Sequence, residues 1–349
     1  MSATAYAALI AASPGDRLDA FLTTANRLGA PVGNIEKDFW VCWTLDALYH
    51  QLPNGQPRLL FKGGTSLSKA FGLIERFSED IDVTVFRDDL GAAASVTELE
   101  ALSNKKRRAK LDAIRDACRA YVTGPLRDSL ATLVADATSG AGRVEIDDAD
   151  PDGQTLLIHY PEVEPRDGAY VRPVVRIESG AKSALDPNEP ATIRPYVTDD
   201  LPGLDLAVPD VTTIKAARTF WDKVVITHGL RRSYDRRGVL RQEGQRISRH
   251  YYDLHCLARS NAGEEAMADR SLGEDCVSHA RMFFDRPDYD LASAVSGSYS
   301  LTPHDTMIDT LRRDYDNTRT MIFGDPPTFA DILASVAEIE GRINADAGV

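Results

Sequence analysis

The chain has 349 residues, 43% of them apolar, which suits an ordinary globular protein of one large domain or two packed ones. Its four cysteines (Cys42, Cys118, Cys256 and Cys276) lie far apart with no CxxC pair, the N-terminus has no basic leader, and no run approaches the roughly 18 apolar residues of a membrane span. These features argue against a disulfide-stapled secreted protein and a membrane protein, leaving a reducing cytoplasm. The net charge of -13 opposes general nucleic-acid binding, so any such role has to come from local charge.

In chain order, "IEKDFWVCWTLDALYHQL" spaces Phe39, Trp43, Leu45 and Leu48 as a helix, which "LPNGQP" breaks. "RLLFKGG" reads as a strand entering a glycine pair. "TSLSKAFGLIERF" then reads as a helix with Leu67, Phe71 and Ile74 on one face, and "DIDVTVF" alternates as a half-buried strand. Residues 98–135 read as helical and include the basic cluster "KKRRAK" from Lys105 to Lys110, either a solvated face or a contact surface. "RVEID", "TLLIHY" and "YVRPVVRIES" predict a β-meander, "EVEPRDG" and "DPNEPATIRP" loops, and "VTTIKAARTFWDKVVITHG" the start of a helical C-terminal half. From Arg231 to His250, seven arginines face Asp235 and Glu243, a local excess of five positive charges in an acidic chain.

The chemistry concentrates between residues 61 and 85. On a strand Asp80 and Asp82 point the same way, while Ile81, Val83 and Val85 point into the core. Two converging carboxylates suit Mg²⁺, or Mn²⁺, shared with substrate phosphates. The Gly63-Gly64 turn offers bare backbone N–H groups to an anion beside them. The pattern lacks the GKS or GKT element of a Walker A loop and the loop signatures of protein kinases. Lys223 lies beside an apolar helix face made by Phe220 and Val224, where it projects either to solvent or to a triphosphate. Asp253 shares a helical face with His250 and Leu257; if buried it needs a partner, and it either orients Lys223 or helps activate an acceptor hydroxyl. Zinc on His250, Asp253 and His255 is disfavoured because His255 is out of phase on a helix.

"KGGTSLSKAFGLIERFSEDIDV", "VRIESGAKS", "RTFWDKVVITHG" and "RISRHYYDLHCL", in that order, resemble the AbiEii/AbiGii nucleotidyltransferase toxins, relatives of the MenT toxins in the DNA polymerase β-like superfamily. The resemblance implies an α+β fold, a polymerase β-like mixed sheet flanked by helices with a largely helical C-terminal half. It divides the chain into a nucleotidyltransferase core at 1–204 and a helical domain at 205–349 completing the active site. It further implies a toxin of an abortive-infection or toxin–antitoxin system that moves a nucleoside monophosphate from an NTP, with Mg²⁺, to an RNA acceptor such as a tRNA 3′ end. A cognate antitoxin is the expected partner. By the same resemblance Asp80, Asp82, Lys223 and Asp253 are catalytic, and Gly63, Gly64, Thr65, Ser66, Lys69, Ser78 and Lys223 bind the nucleotide. Glu178 in "RIESGAKS" fills an acidic slot as a third metal ligand beside Asp80 and Asp82. Transfer to a protein or small-molecule hydroxyl is the alternative reaction; a non-catalytic nucleotide-binding regulator is the alternative class, disfavoured by the retention of both aspartates.

Overall fold

Strand β1 (Leu59–Lys62) runs into the glycine pair, and β2 (Asp80–Val85) returns antiparallel to it, with Ile81, Val83 and Val85 fully buried. β3 (Arg143–Ile146), β4 (Thr155–His159) and β5 (Val174–Gly180) form the expected antiparallel meander. With β6 (Asn188–Ile193) and β7 (Val208–Ile214) they make a seven-stranded sheet in the order β3-β4-β5-β2-β1-β7-β6. The sheet is mixed because β5 pairs parallel with β2, and β7 parallel with β1. The structure, a computed structural model, describes residues 2–163, 173–240, 246–284 and 286–345.

Among the described residues, the α-helices before the C-terminal half are α1 (Ser2–Ala11), α2 (Pro14–Leu28), α3 (Val32–Asp46), α4 (Gly63–Lys69), α5 (Val96–Glu100), α6 (Asn104–Tyr121) and α7 (Arg127–Ala137). The C-terminal half is helical as expected, with α8 (Ala216–Arg237), α9 (Ser248–Ala258), α10 (Asn261–Ala268), α11 (Arg270–Phe283), α12 (Asp305–Thr318) and α13 (Phe329–Asn344). The fold is α+β. α3 is buried almost end to end, and Trp40 stacks on Tyr160 with ring centroids 5.3 Å apart. α8 stops where Gly238 takes a left-handed φ of 68°, which glycine adopts without a Cβ penalty.

The chain separates into two compact units. The first comprises residues 1–71, 77–94 and 102–214; the second comprises 72–76, 95–101 and 215–349. The division falls after Ile214, whereas the sequence placed it at 204/205, because "VTTI" is not the start of a helix but the end of β7, a strand of the sheet. Two further differences have local causes. The helix expected over 65–77 ends at Lys69, just before Gly72 adopts a left-handed φ of 61°. "NEPATI" is the edge strand β6 rather than a loop; Pro190, which has no N–H to give a ladder, is tolerated at an edge. Residues 164–168 of the expected "EVEPRDG" loop and 241–245 of the arginine-rich segment lie outside the described residues.

Candidate active site

In the sheet unit the paired aspartates stand where alternation places them. Asp80 and Asp82 are both half-buried on one face of β2, with Asp82 in register with Lys62 on one side and Glu178 on the other. Gly63 has φ +80°, and a Cβ added there would lie 2.1 Å from Asp82 Oδ2. The first glycine is therefore needed twice: for its left-handed backbone and for the space that the Asp82 carboxylate fills. Gly64 follows it in the first turn of α4. Thr65 Oγ1 is hydrogen-bonded to Ser78 Oγ at 2.7 Å and to the carbonyl of Asp80, and Ser66 Oγ donates to the Gly63 carbonyl at 2.9 Å. Both hydroxyl side chains are fully buried; Thr65 ties the glycine turn to β2, and Ser66 closes the turn on itself.

Charge is crowded here. Burial first, and then the like charges of Glu79 and Asp82, push the Asp80 carboxyl above its usual range, against the opposing pull of Lys37 and Arg176. Lys62 Nζ lies 3.7 Å from Asp82 Oδ1, and Arg176 holds Glu178 at 2.9 Å and Asp147 at 3.0 Å. Two hard-oxygen donors in such a field fit a divalent cation at Asp80 and Asp82. Glu178 is beside Asp82 in the ladder, but its carboxylate is engaged by Arg176, and among the described residues no group of three His, Cys, Asp or Glu side chains forms a metal cluster.

Lys69 stands apart from the carboxylates in its contacts. Its ammonium is buried against Asp38 at 2.6 Å and lies 3.5 Å from the centroid of the Tyr196 ring. Burial works against the charge, yet Asp38 and its neighbours hold the ammonium above its usual range. Beside it Ser68, Thr192, Arg194 and Tyr196 complete the lining of a recess of about 310 Å³.

In the helical unit Asp253 is fully buried and lies between two cations, Arg76 Nε at 2.8 Å and Lys223 Nζ at 2.6 Å. Lys223 is thus buried and paired, with Phe220 and Val224 in the core as their spacing indicated. Burial raises the Asp253 carboxyl, but Arg76 and Lys223 outweigh it and hold the group well below the usual carboxylate range. The ammonium of Lys223 is pulled down by burial and by Arg76 and Arg249 despite Asp253. The carboxylate sets the state of this triad because it takes three short bonds from two cations. His250 is kept neutral by burial, Lys223 and Arg249, and its Nδ1 has no hydrogen-bond partner.

The arginines of α8 meet acidic residues of their own chain. Arg231 binds Asp235 at 2.9 Å, Arg232 binds Asp290 at 3.0 Å, Arg236 lies 3.7 Å from Asp290, and Arg237 binds Asp288. Part of the local excess read from the sequence is therefore balanced by Asp288 and Asp290.

Three buried charges escaped the sequence reading. Glu36, Lys37 and Asp38 are each nearly inaccessible on α3; Lys37 pairs with Glu79 at 2.8 Å, Asp38 also accepts from the Tyr196 N–H, and Glu36 accepts from the Val163 N–H. The available signal was three consecutive charges inside an apolar helical run, which a buried helix keeps only when each has a partner.

Comparison with known proteins agrees with this architecture. A solved structure of MenT4, a nucleotidyltransferase toxin from Mycobacterium tuberculosis H37Rv, matches with a TM-score of 0.51 at 16% identity, covering 94% of this chain and 90% of that one, a likeness of fold. No curated protein matches by sequence. The family model described as nucleotidyl transferase AbiEii toxin, type IV toxin–antitoxin system, matches residues 46–335, the span that holds Gly63, Asp80, Asp82 and Asp253, and the chain belongs to that family.

Proposed function

We propose that this toxin-family nucleotidyltransferase moves a nucleoside monophosphate from an NTP to an RNA hydroxyl, with a tRNA 3′ end as the acceptor. The observation that carries the reading is the placement of Asp80 and Asp82 on one face of β2, with Asp82 packed against the side-chain-free Gly63. In the reaction the acceptor oxygen bonds to the α-phosphorus, the bond to the β-phosphate oxygen breaks, and pyrophosphate leaves with that electron pair. Asp80 and Asp82 would hold a divalent cation, which would supply charge neutralisation at the phosphates. Gly63 leaves room for the Asp82 carboxylate, and Thr65 fixes the glycine turn to β2 so that its backbone N–H groups are positioned before substrate arrives. The protein acts in the cytoplasm with a cognate antitoxin; among the described residues all four cysteines are free, and no helix is long and apolar enough to cross a membrane.

A second reading, transfer to a protein or small-molecule hydroxyl, draws support from the self-paired arginines of α8, which leave less basic surface for RNA. Incubation with each α-labelled NTP, Mg²⁺ and a mixture of total RNA and protein separates the two. Label in the RNA fraction is expected; label confined to protein selects the second reading, and binding of NTP without transfer removes both.

A further inference from the structure

We propose that the basic face at the start of α6 grips the phosphate backbone of the acceptor, an inference that rests on the RNA reading above. Residues 105–110 carry Lys105, Lys106, Arg107, Arg108 and Lys110, with Ala109 the one uncharged position. Lys105, Lys106 and Arg108 are exposed, while Arg107 and Lys110 are half-buried. The helix begins at Asn104 and has no acidic residue in its first turn. For local stability this is the wrong sign, because the unpaired N–H groups of a helix start already carry partial positive charge and neighbouring like charges repel. A sequence selected for helix stability alone would place acids there.

The acids close by are committed elsewhere. Asp112, the first acidic residue of the helix, is 3.0 Å from Arg115, and Asp116 is 3.1 Å from the same guanidinium. Among the described residues Lys105, Lys106 and Lys110 make no ion pair. α8 shows the opposite arrangement, with its arginines matched to Asp235, Asp288 and Asp290. In a chain with a net charge of -13, the lysines of α6 thus leave positive charge without an acidic partner among the described residues in a single helical turn and a half. Asn104, Lys105, Arg108, Ala109 and Asp112 also line an open recess of about 410 Å³ along the helix.

The chemistry of this face fits a polyanion better than a protein surface. Protein interfaces are anchored by apolar or aromatic side chains at their centre. Among the described residues the exposed large hydrophobics are Leu22, Val239, Phe284 and Val295, none of them on α6. A row of lysine point charges matches successive phosphates without reading their sequence. The face also has a fixed position in the sheet unit that carries Asp80 and Asp82. Gln154 Nε2 donates to the Arg115 carbonyl at 2.9 Å, and Arg119 Nε to that of Asp152 at 2.6 Å.

The test uses the full-length protein and a labelled total tRNA pool, with binding constants measured from about 50 to 200 mM salt. For the triple variant Lys105→Gln/Lys106→Gln/Lys110→Gln the slope of log K against log salt should become shallower by about two to three, with weaker binding at every salt concentration. The matching triple Lys→Arg variant should restore both. Wild-type labelling of RNA with an unchanged slope in the Gln variant overturns the α6 assignment and leaves the transferase reading standing. Failure of the wild type to label RNA at all overturns the RNA reading and this proposal with it. Loss of antitoxin binding in the Gln variant, with RNA slope unchanged, assigns the face to the antitoxin and also overturns the proposal.

Discussion

Asp82 packs closely against Gly63. A methyl group at Gly63 would meet Asp82 Oδ2 at 2.1 Å on a backbone of φ +80°, so Gly63→Ala has to move either the turn or the carboxylate. The backbone strain costs about 1–3 kcal/mol, and transfer activity should fall further than that loss of stability explains; full activity in a folded Gly63→Ala protein would break the link between turn and carboxylate. Asp80 gives the opposite sign for stability. Its carboxyl is raised by burial and by Glu79 and Asp82, so the ionised group is a burden on the folded state at neutral pH. Asp80→Asn should leave the melting temperature at neutral pH unchanged or higher while abolishing transfer, and a clear drop in melting temperature would show that Asp80 is structural. Asp253 differs again, because Arg76 and Lys223 depress its carboxyl. Its contribution is fully present above the unfolded value of about 3.9 and is lost as pH falls from there through the folded value. The stability gap between wild type and Asp253→Asn, measured by urea unfolding, should be constant from pH 7 to about pH 5. It should then shrink by roughly 1.4 kcal/mol per pH unit below about 3.9; a gap that stays constant to pH 3 contradicts the assignment.

At the scale of elements, α8 depends on a glycine for a reason unrelated to flexibility. A Cβ at Gly229 would lie 2.0 Å from the Tyr289 ring, which packs directly on the helix backbone beside the Arg232–Asp290 pair. In an exposed helix Gly→Ala gains about 1 kcal/mol; here overpacking should reverse the sign, and Gly229→Ala should lower stability by about 1–3 kcal/mol in denaturant unfolding. A stabilised variant would show that Tyr289 moves aside freely. How much of such detail the sequence reveals depends on how local its cause is. β2 was legible because strict alternation over "DIDVTV" serves one buried face, and the helical C-terminal half because its apolar spacing repeats. β6 was not, since an edge strand with Pro190 and few apolar residues carries a turn-like composition, and "VTTI" runs from strand to helix with no break to mark the change. The site divides in the same way. The aspartates and glycines could be read from their spacing, whereas the Lys37–Glu79 and Lys69–Asp38 pairs join residues that are distant in sequence. The sequence showed the arginines of α8 only as a local excess of charge, to be used on RNA or on acidic partners, because Asp288 and Asp290 come from a later segment.

At the scale of the whole molecule, the sheet unit holds the carboxylates and the glycine turn, and the helical unit is organised around the buried Asp253 and its two cations. The AbiEii family match spans most of both, residues 46–335, so both belong to one inherited design rather than to a catalytic domain with an unrelated appendage. The net charge of -13 sets the terms for a nucleic-acid partner: contact has to be made where cations are left unbalanced, and self-pairing along α8 narrows that choice. Whether Asp80 and Asp82 carry nucleotidyl transfer is tested most directly with Asp80→Asn and Asp82→Asn proteins whose folding has been verified by circular dichroism. Incorporation of α-labelled NTP into the acceptor fraction should fall at least about a hundredfold in each variant, the loss of several kcal/mol of charge stabilisation at the reacting phosphate. Incorporation near the wild-type rate in both folded variants would contradict the account.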